Sequence, residues 1–424
     1  MNTISRIYRS INGSPVQNMG RVLTLMGGIE SVIGPEDIVI VKPNLRWWNQ
    51  GAPNIAAINF FIERIFSRPG GFSGEVILAE NSHRGALPWN EGGWSTPFLR
   101  NSDLKGVTNY TELAQRLKSR HGNRFSVCHL IDVKDGGTRV YSPSEGPGYV
   151  YCDGTGGVPL LEIDNGLDAD FMVDFPECYP VKRETIMSYP IMQTDRGTLV
   201  DFKNGTWDKG AYSDRPVRLI NFSALNHHSF YGGMSGSVRN YLGIADLSGG
   251  PDPFMDGRLV AHYYNFHTFP YNCWDDGSVP GLIGYAIGYF MNKIRKADLN
   301  IMTAHWCGLA SRIHPPAANT KTIMASEDPV ALDYHAAKYV LFPNSNAPMH
   351  DPDNLRLPLG QYLFRCAEQT GYAFDEEFVA LKSYDYRKKG MQDPGDLPVR
   401  APRIWGTDFE TILRHLALYF LSPK

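Results

Sequence analysis

No two of the six cysteines stand in a Cys-x-x-Cys spacing; Cys128, Cys152, Cys178, Cys273, Cys307 and Cys366 are scattered along 424 residues. That spacing provides no local thiolate pair for zinc and implies no iron–sulfur cluster, so the thiols read as free and buried. An excess of charge of one sign is missing too. Against 41 basic residues stand 44 acidic ones, a formal net charge of −3, without a basic run. A nucleic-acid partner and a polybasic membrane patch are therefore not expected. No run of 18 apolar residues occurs, and residues 1–18 lack the apolar core of a secretory signal. No membrane partner is expected, and a cytoplasmic location is. The Gly-x-Ser-x-Gly elbow, the complete dinucleotide fingerprint and the Walker loop are absent as well, which removes the serine-hydrolase, Rossmann and P-loop readings.

What is present is an alternation of apolar strands and amphipathic helices, with 42 glycines and 29 prolines that point to long ordered loops. Helices are expected at 22–33, 55–66, 110–118, 282–294, 361–370 and 407–421, and strands at 37–41, 74–79, 126–132, 217–225, 299–304, 322–325 and 378–382. The fold class that follows is α/β, a mainly parallel sheet flanked by helices, with irregular β-rich insertions. Residues 1–135 form the first part of the α/β core and 136–216 an inserted β-rich lobe or lid, with strand-like runs at 149–152, 171–173 and 198–202. The second part of the core covers 217–385, and 386–424 is a C-terminal extension with a helix. Within 244–278, a second irregular region, His262 and His267 stand five apart, which matches neither one helix face nor one strand face and reads as packing.

The densest chemistry lies in residues 219–243, LINFSALNHHSFYGGMSGSVRNYLG, where an apolar strand ends on Asn226, His227 and His228 and passes into glycines. Ligands of open α/β sheets bind beyond the carboxyl ends of the strands, so both imidazoles are candidates for acid–base catalysis or metal binding. Gly232, Gly233, Ser235 and Gly236 allow close backbone approach and open a helix carrying Arg239 and Asn240, a candidate anion site with Arg239 as its fixed charge. Strand 37–41 ends on Lys42, Pro43 and Asn44, strand 74–79 on Glu80 and Asn81, and strand 299–304 on His305. A βαβ unit brings such ends to one rim, so Lys42, Asn44, His227, His228 and Arg239 are expected around one pocket. His83 reads as a loop residue. Asp333, a lone carboxylate in an apolar helix, needs a partner if buried, either a backbone hydrogen bond or Arg239.

Four stretches in order, VIVKPNL (39–45), VILAENS (76–82), the central run 219–243 and MASEDPVALD (324–333), resemble the domain-of-unknown-function 362 family. That family typically shows Lys-x-His at a strand end and Thr-Gly-x-x-Lys-Asn at the following helix start. Here Asn226 and Arg239 replace the two lysines, so a role that needs a deprotonated lysine is not carried over. Many relatives add a ferredoxin-like cluster module; this chain does not. More distantly, 232–239 resembles the glycine-rich helix start of nickel-pincer lactate racemases, where a nearby lysine carries the cofactor covalently, an attachment Arg239 does not form.

The expected function is that of an enzyme acting on a small anionic substrate, a carboxylate or phosphate. Its catalytic residues are His227, His228 and Lys42, and the substrate contacts Asn44, Asn226, Gly233, Ser235, Gly236, Arg239 and Asn240. A divalent transition metal on His227, His228 and His305 is an optional aid. The alternative is a non-catalytic ligand-binding, metal-binding or assembly protein using the same crevice.

Overall fold

The computed structural model describes residues 4–81, 92–131, 137–152, 161–164, 182–185, 187–228, 232–247, 250–251, 259–260, 282–372, 374 and 376–392. The expectations for His83, His262, His267, the run at 171–173 and the helix at 407–421 fall outside them. Nineteen strands are described among these residues. They are β1 (Ser5–Ile11), β2 (Ile38–Pro43), β3 (Glu75–Asn81), β4 (Phe125–Leu130), β5 (Gly148–Cys152), β6 (Leu161–Asp164), β7 (Lys182–Thr185), β8 (Met187–Gln193), β9 (Leu199–Asp201) and β10 (Gly205–Asp208). The chain continues with β11 (Ala211–Tyr212), β12 (Val217–His227), β13 (Met234–Ser235), β14 (Gly250–Pro251), β15 (Leu259–Val260), β16 (Leu299–Gly308), β17 (Ala317–Ser326), β18 (Val379–Asp385) and β19 (Gly390–Gln392).

The main sheet runs β19-β18-β1-β17-β16-β12-β2-β3-β4, with β13 hooked onto β12. Its central stretch from β16 to β4 is wholly parallel. Apolar residues alternate between the two faces: Ile38, Ile40, Ile77 and Leu219 belong to one hydrophobic cluster, Val39, Val41, Val76, Leu78, Ile220 and Phe222 to the other. Helices Pro15–Met26, Ile55–Phe66 and Tyr110–His121 cover the second face, and Leu282–Lys293, Pro329–Ala336 and Pro358–Thr370 the first. This is the expected α/β architecture. Among the described residues no helix is long and apolar enough to cross a membrane.

Several elements differ from expectation for local reasons. The first helix begins at Pro15, where Ser14 and Gln17 form a capping box, and stops at Gly27 in the left-handed region, before the expected end at 33. β1, a polar-rich strand without an apolar run, escaped sequence reading; it gains its place by pairing with β17 and β18. β17 runs antiparallel to β16 because the two are a hairpin, not a crossover unit. Asp328 caps Pro329–Ala336 as its sequence position implies, accepting from the N–H groups of Val330 and Ala331. The inserted segment contains the sheet β11-β10-β9-β8-β5, whose Val150, Tyr189, Ile191, Met192, Val200 and Phe202 join the first-face cluster of the main sheet.

Candidate functional site

Lys42 stands next to last in β2 and is buried. Its Nζ donates to Glu80 Oε2 at 2.8 Å, Asn240 Oδ1 at 2.7 Å and the Pro43 carbonyl at 3.1 Å. Asn240 returns an amide hydrogen bond to the Lys42 carbonyl and another to Asn221 Oδ1, and Asn221 donates to Asn300 Oδ1. A polar ladder thus crosses β16, β12, β2 and β3. Burial pushes the Lys42 pKa down, against the opposing pull of Glu80. It pushes Glu80 up to about 7, against Lys42 and the N–H groups of Asn81 and Leu45. Gly243 closes the site from above: a Cβ there would lie 2.8 Å from Lys42 Nζ and closer still to Glu80 Oε1. Lys42, Asn240 and Glu80 therefore lock the segment after the glycine-rich turn onto the sheet.

That turn is itself built around glycine. Gly233 has φ +69, and a Cβ on it would collide with the Met349 carbonyl; its own carbonyl accepts from His228 N–H at 3.0 Å. Ser235 is buried in β13 opposite Asn226. The helix that follows is short, Ser237–Asn240, and its first amides are already used: Ser237 and Val238 N–H donate to the two Asp333 oxygens at 2.6 and 3.0 Å. A Cβ at Gly236 would come within 2.6 Å of both oxygens, so this glycine makes room for the chain's own carboxylate. Burial lifts Asp333 to about 7, against these hydrogen bonds. Asp333 thereby meets its need for a partner through backbone amides.

Arg239 is buried, with its guanidinium against Gly232. Burial lowers its pKa to about 9; Tyr362 opposes the shift and the positive charge of Arg312 adds to it. Arg312, in the β16–β17 hairpin, lies 4.5 Å from the Trp47 ring centroid and contacts His228 Nε2 through Nη1 at 3.0 Å. His227 turns to another neighbour, its Nδ1 3.0 Å from His350 Nε2, while His350 Nδ1 lies 2.7 Å from Ser345 Oγ. His350 is fully buried; His227, His228, Arg312 and Ser345 are half-buried. The Asn226 side chain is fully buried, with neither its oxygen nor its nitrogen bonded among the described residues.

The residues expected around one pocket have different hydrogen-bond partners. Lys42 and Asn240 belong to the buried ladder. His228 meets Arg312, whose charge also acts on Arg239, His227 meets His350, and Asn44 is half-buried in the loop after β2. His305 is buried on β16, its pKa lowered by burial, with Asp103 and Lys321 as its charged neighbours. His227, His228 and His305 take separate partners, and no group of three His, Cys, Asp or Glu able to hold a metal occurs among the described residues.

Sequence reading missed Arg312, His350 and Ser345. Arg312 sits in SRIHPP and His350 in PMHDP, loops without a motif. A single polar residue in a proline-rich loop gives no local sign of what it will meet.

Residues 217–338 match the family described as Domain of unknown function (DUF362). The match takes in β12, the glycine-rich turn, β16, β17 and the helix that carries Asp333. No curated protein and no solved structure matches the chain.

Proposed function

We propose that this chain, which carries a DUF362 segment over residues 217–338, binds a small carboxylate or phosphate at the carboxyl edge of its sheet and exchanges a proton with it through His227. The observation that carries the reading is the proximity of Arg312 to buried Arg239, with Arg312 also in contact with His228. Two guanidiniums brought near one another concentrate positive charge, which attracts an anion. Arginine presents a planar donor fork suited to carboxylate and phosphate oxygens. His228 is engaged with Arg312, and the half-buried imidazole of His227, next in sequence, supplies the acid–base group. Lys42 supports the scaffold in this reading, because Gly243, Glu80 and Asn240 enclose its amine.

Calorimetric titration with inorganic phosphate and a series of small phosphates and carboxylates tests the proposal. Arg312→Ala is expected to weaken the best binder by roughly tenfold to a hundredfold, the loss of one charged hydrogen bond. Equal affinity in wild type and variant, or no binding by the wild type to any member of the series, sinks it.

A further inference from the structure

His350 reaches His227 from a segment 123 residues further along the chain, and its position is fixed by local geometry. The short helix Phe342–Ser345 ends at Asn346 in the left-handed region. A 3-10 turn, Pro348–His350, then brings the imidazole back over Ser345. Ser345 Oγ accepts from Ala347 N–H at 3.3 Å and keeps its own proton to donate. His350 is enclosed, with a ring nitrogen directed at each neighbour: Nδ1 at Ser345, Nε2 at His227.

The geometry points to Ser345, His350 and His227 as a proton relay between solvent and the crevice, in which His350 and Ser345 are positioning residues that act through His227. This rests on the anion-binding reading above and names the route by which its proton travels. With the Ser345 hydroxyl donating to His350 Nδ1, His350 carries its proton on Nε2 and donates to His227 Nδ1, which leaves the His227 proton on Nε2. When His227 Nε2–H gives its proton to the bound anion, His227 Nδ1 takes the His350 Nε2 proton. His350 Nδ1 then takes the Ser345 proton, and a solvent water reprotonates the Ser345 oxygen, leaving hydroxide in bulk solvent. One proton enters at half-exposed Ser345, one leaves at His227, and each imidazole ends neutral in its other tautomer.

The test uses the full chain labelled with 15N-histidine, and reads the protonated nitrogen of each ring from long-range proton–nitrogen spectra, before and after adding inorganic phosphate. In the wild type, His227 and His350 are each expected as one neutral tautomer, protonated on Nε2. Ser345→Ala removes a hydroxyl that His227 does not touch, yet is expected to turn both rings into tautomer mixtures. His350→Gln is expected to do the same to His227 alone. A His227 signal unchanged by both variants overturns the relay even if phosphate binds. Coupled rings in a protein that binds no anion overturn the crevice reading instead, and with it the relay's task.

Discussion

Asp333 shows how a single residue changes the meaning of a motif. Glycines opening a helix invite an external anion, but here the two leading amides of Ser237–Asn240 are filled from within by the Asp333 carboxylate. Its environment also has a consequence for stability. An aspartate in the unfolded chain titrates near about 4, whereas in the folded protein burial holds Asp333 at about 7. Between those values the folded state binds one proton more than the unfolded state, so stability falls as pH rises from about 4 to about 7 and levels off above it. Asp333→Asn is expected to be the flatter of the two proteins over that window, with a difference of up to about 4 kcal/mol. Denaturant unfolding of both at several pH values checks this, and parallel profiles would contradict it. Glu80 is raised in the same direction, so the comparison between the two proteins isolates the Asp333 contribution.

At the scale of elements, helix Leu282–Lys293 packs closely on helix Pro358–Thr370, which carries Tyr362, an electrostatic neighbour of Arg239. Gly284 lets the first helix ride so close that a Cβ would fall on the backbone carbonyl of Tyr362, and a Cβ on Gly288 one turn later would lie 2.9 Å from the Cys366 carbonyl. Backbone does not yield as a side-chain tip does. Gly284→Ala is therefore expected to push the helices apart and cost about 1–3 kcal/mol, measurable as a lower thermal midpoint. Because the Tyr362 phenol interacts electrostatically with Arg239, the same variant should weaken phosphate binding. An unchanged midpoint would show that the helices part at no cost. The helices themselves were legible from apolar spacing, Ile55–Phe66 and Leu282–Lys293 to within a residue. Their closeness was not, because it depends on which glycine meets which carbonyl.

Across the whole molecule, the inserted sheet is welded to the main one. Phe202 and Phe290 rings lie 6.5 Å apart within a shared cluster, Arg295 donates to the Phe202 and Val217 carbonyls, and Glu75 accepts from Thr198 and Arg215. The Tyr151 hydroxyl donates to Asp246 just beyond the segment that covers Lys42. With a common core, loss of the insertion's packing exposes the main sheet, so the aromatic near-ultraviolet signal and the backbone far-ultraviolet signal should disappear in one thermal transition. Two separated transitions, the aromatic one first, would mean that the insertion is cored independently.

The sequence by itself determined the apolar runs of β2, β3, β12 and β16, and with them a buried parallel sheet whose strands end in polar residues. These signals are local: a strand covered on both faces must be apolar throughout, and polar atoms can begin only where that cover stops. The tertiary structure alone decided what those polar residues do. Lys42 became enclosed because a segment near residue 240 folds back over it. Arg312 met His228 across 84 residues, and His350 met His227 across 123. Contacts at such separations follow from how whole helices and hairpins pack, and leave no spacing in the chain from which they can be read.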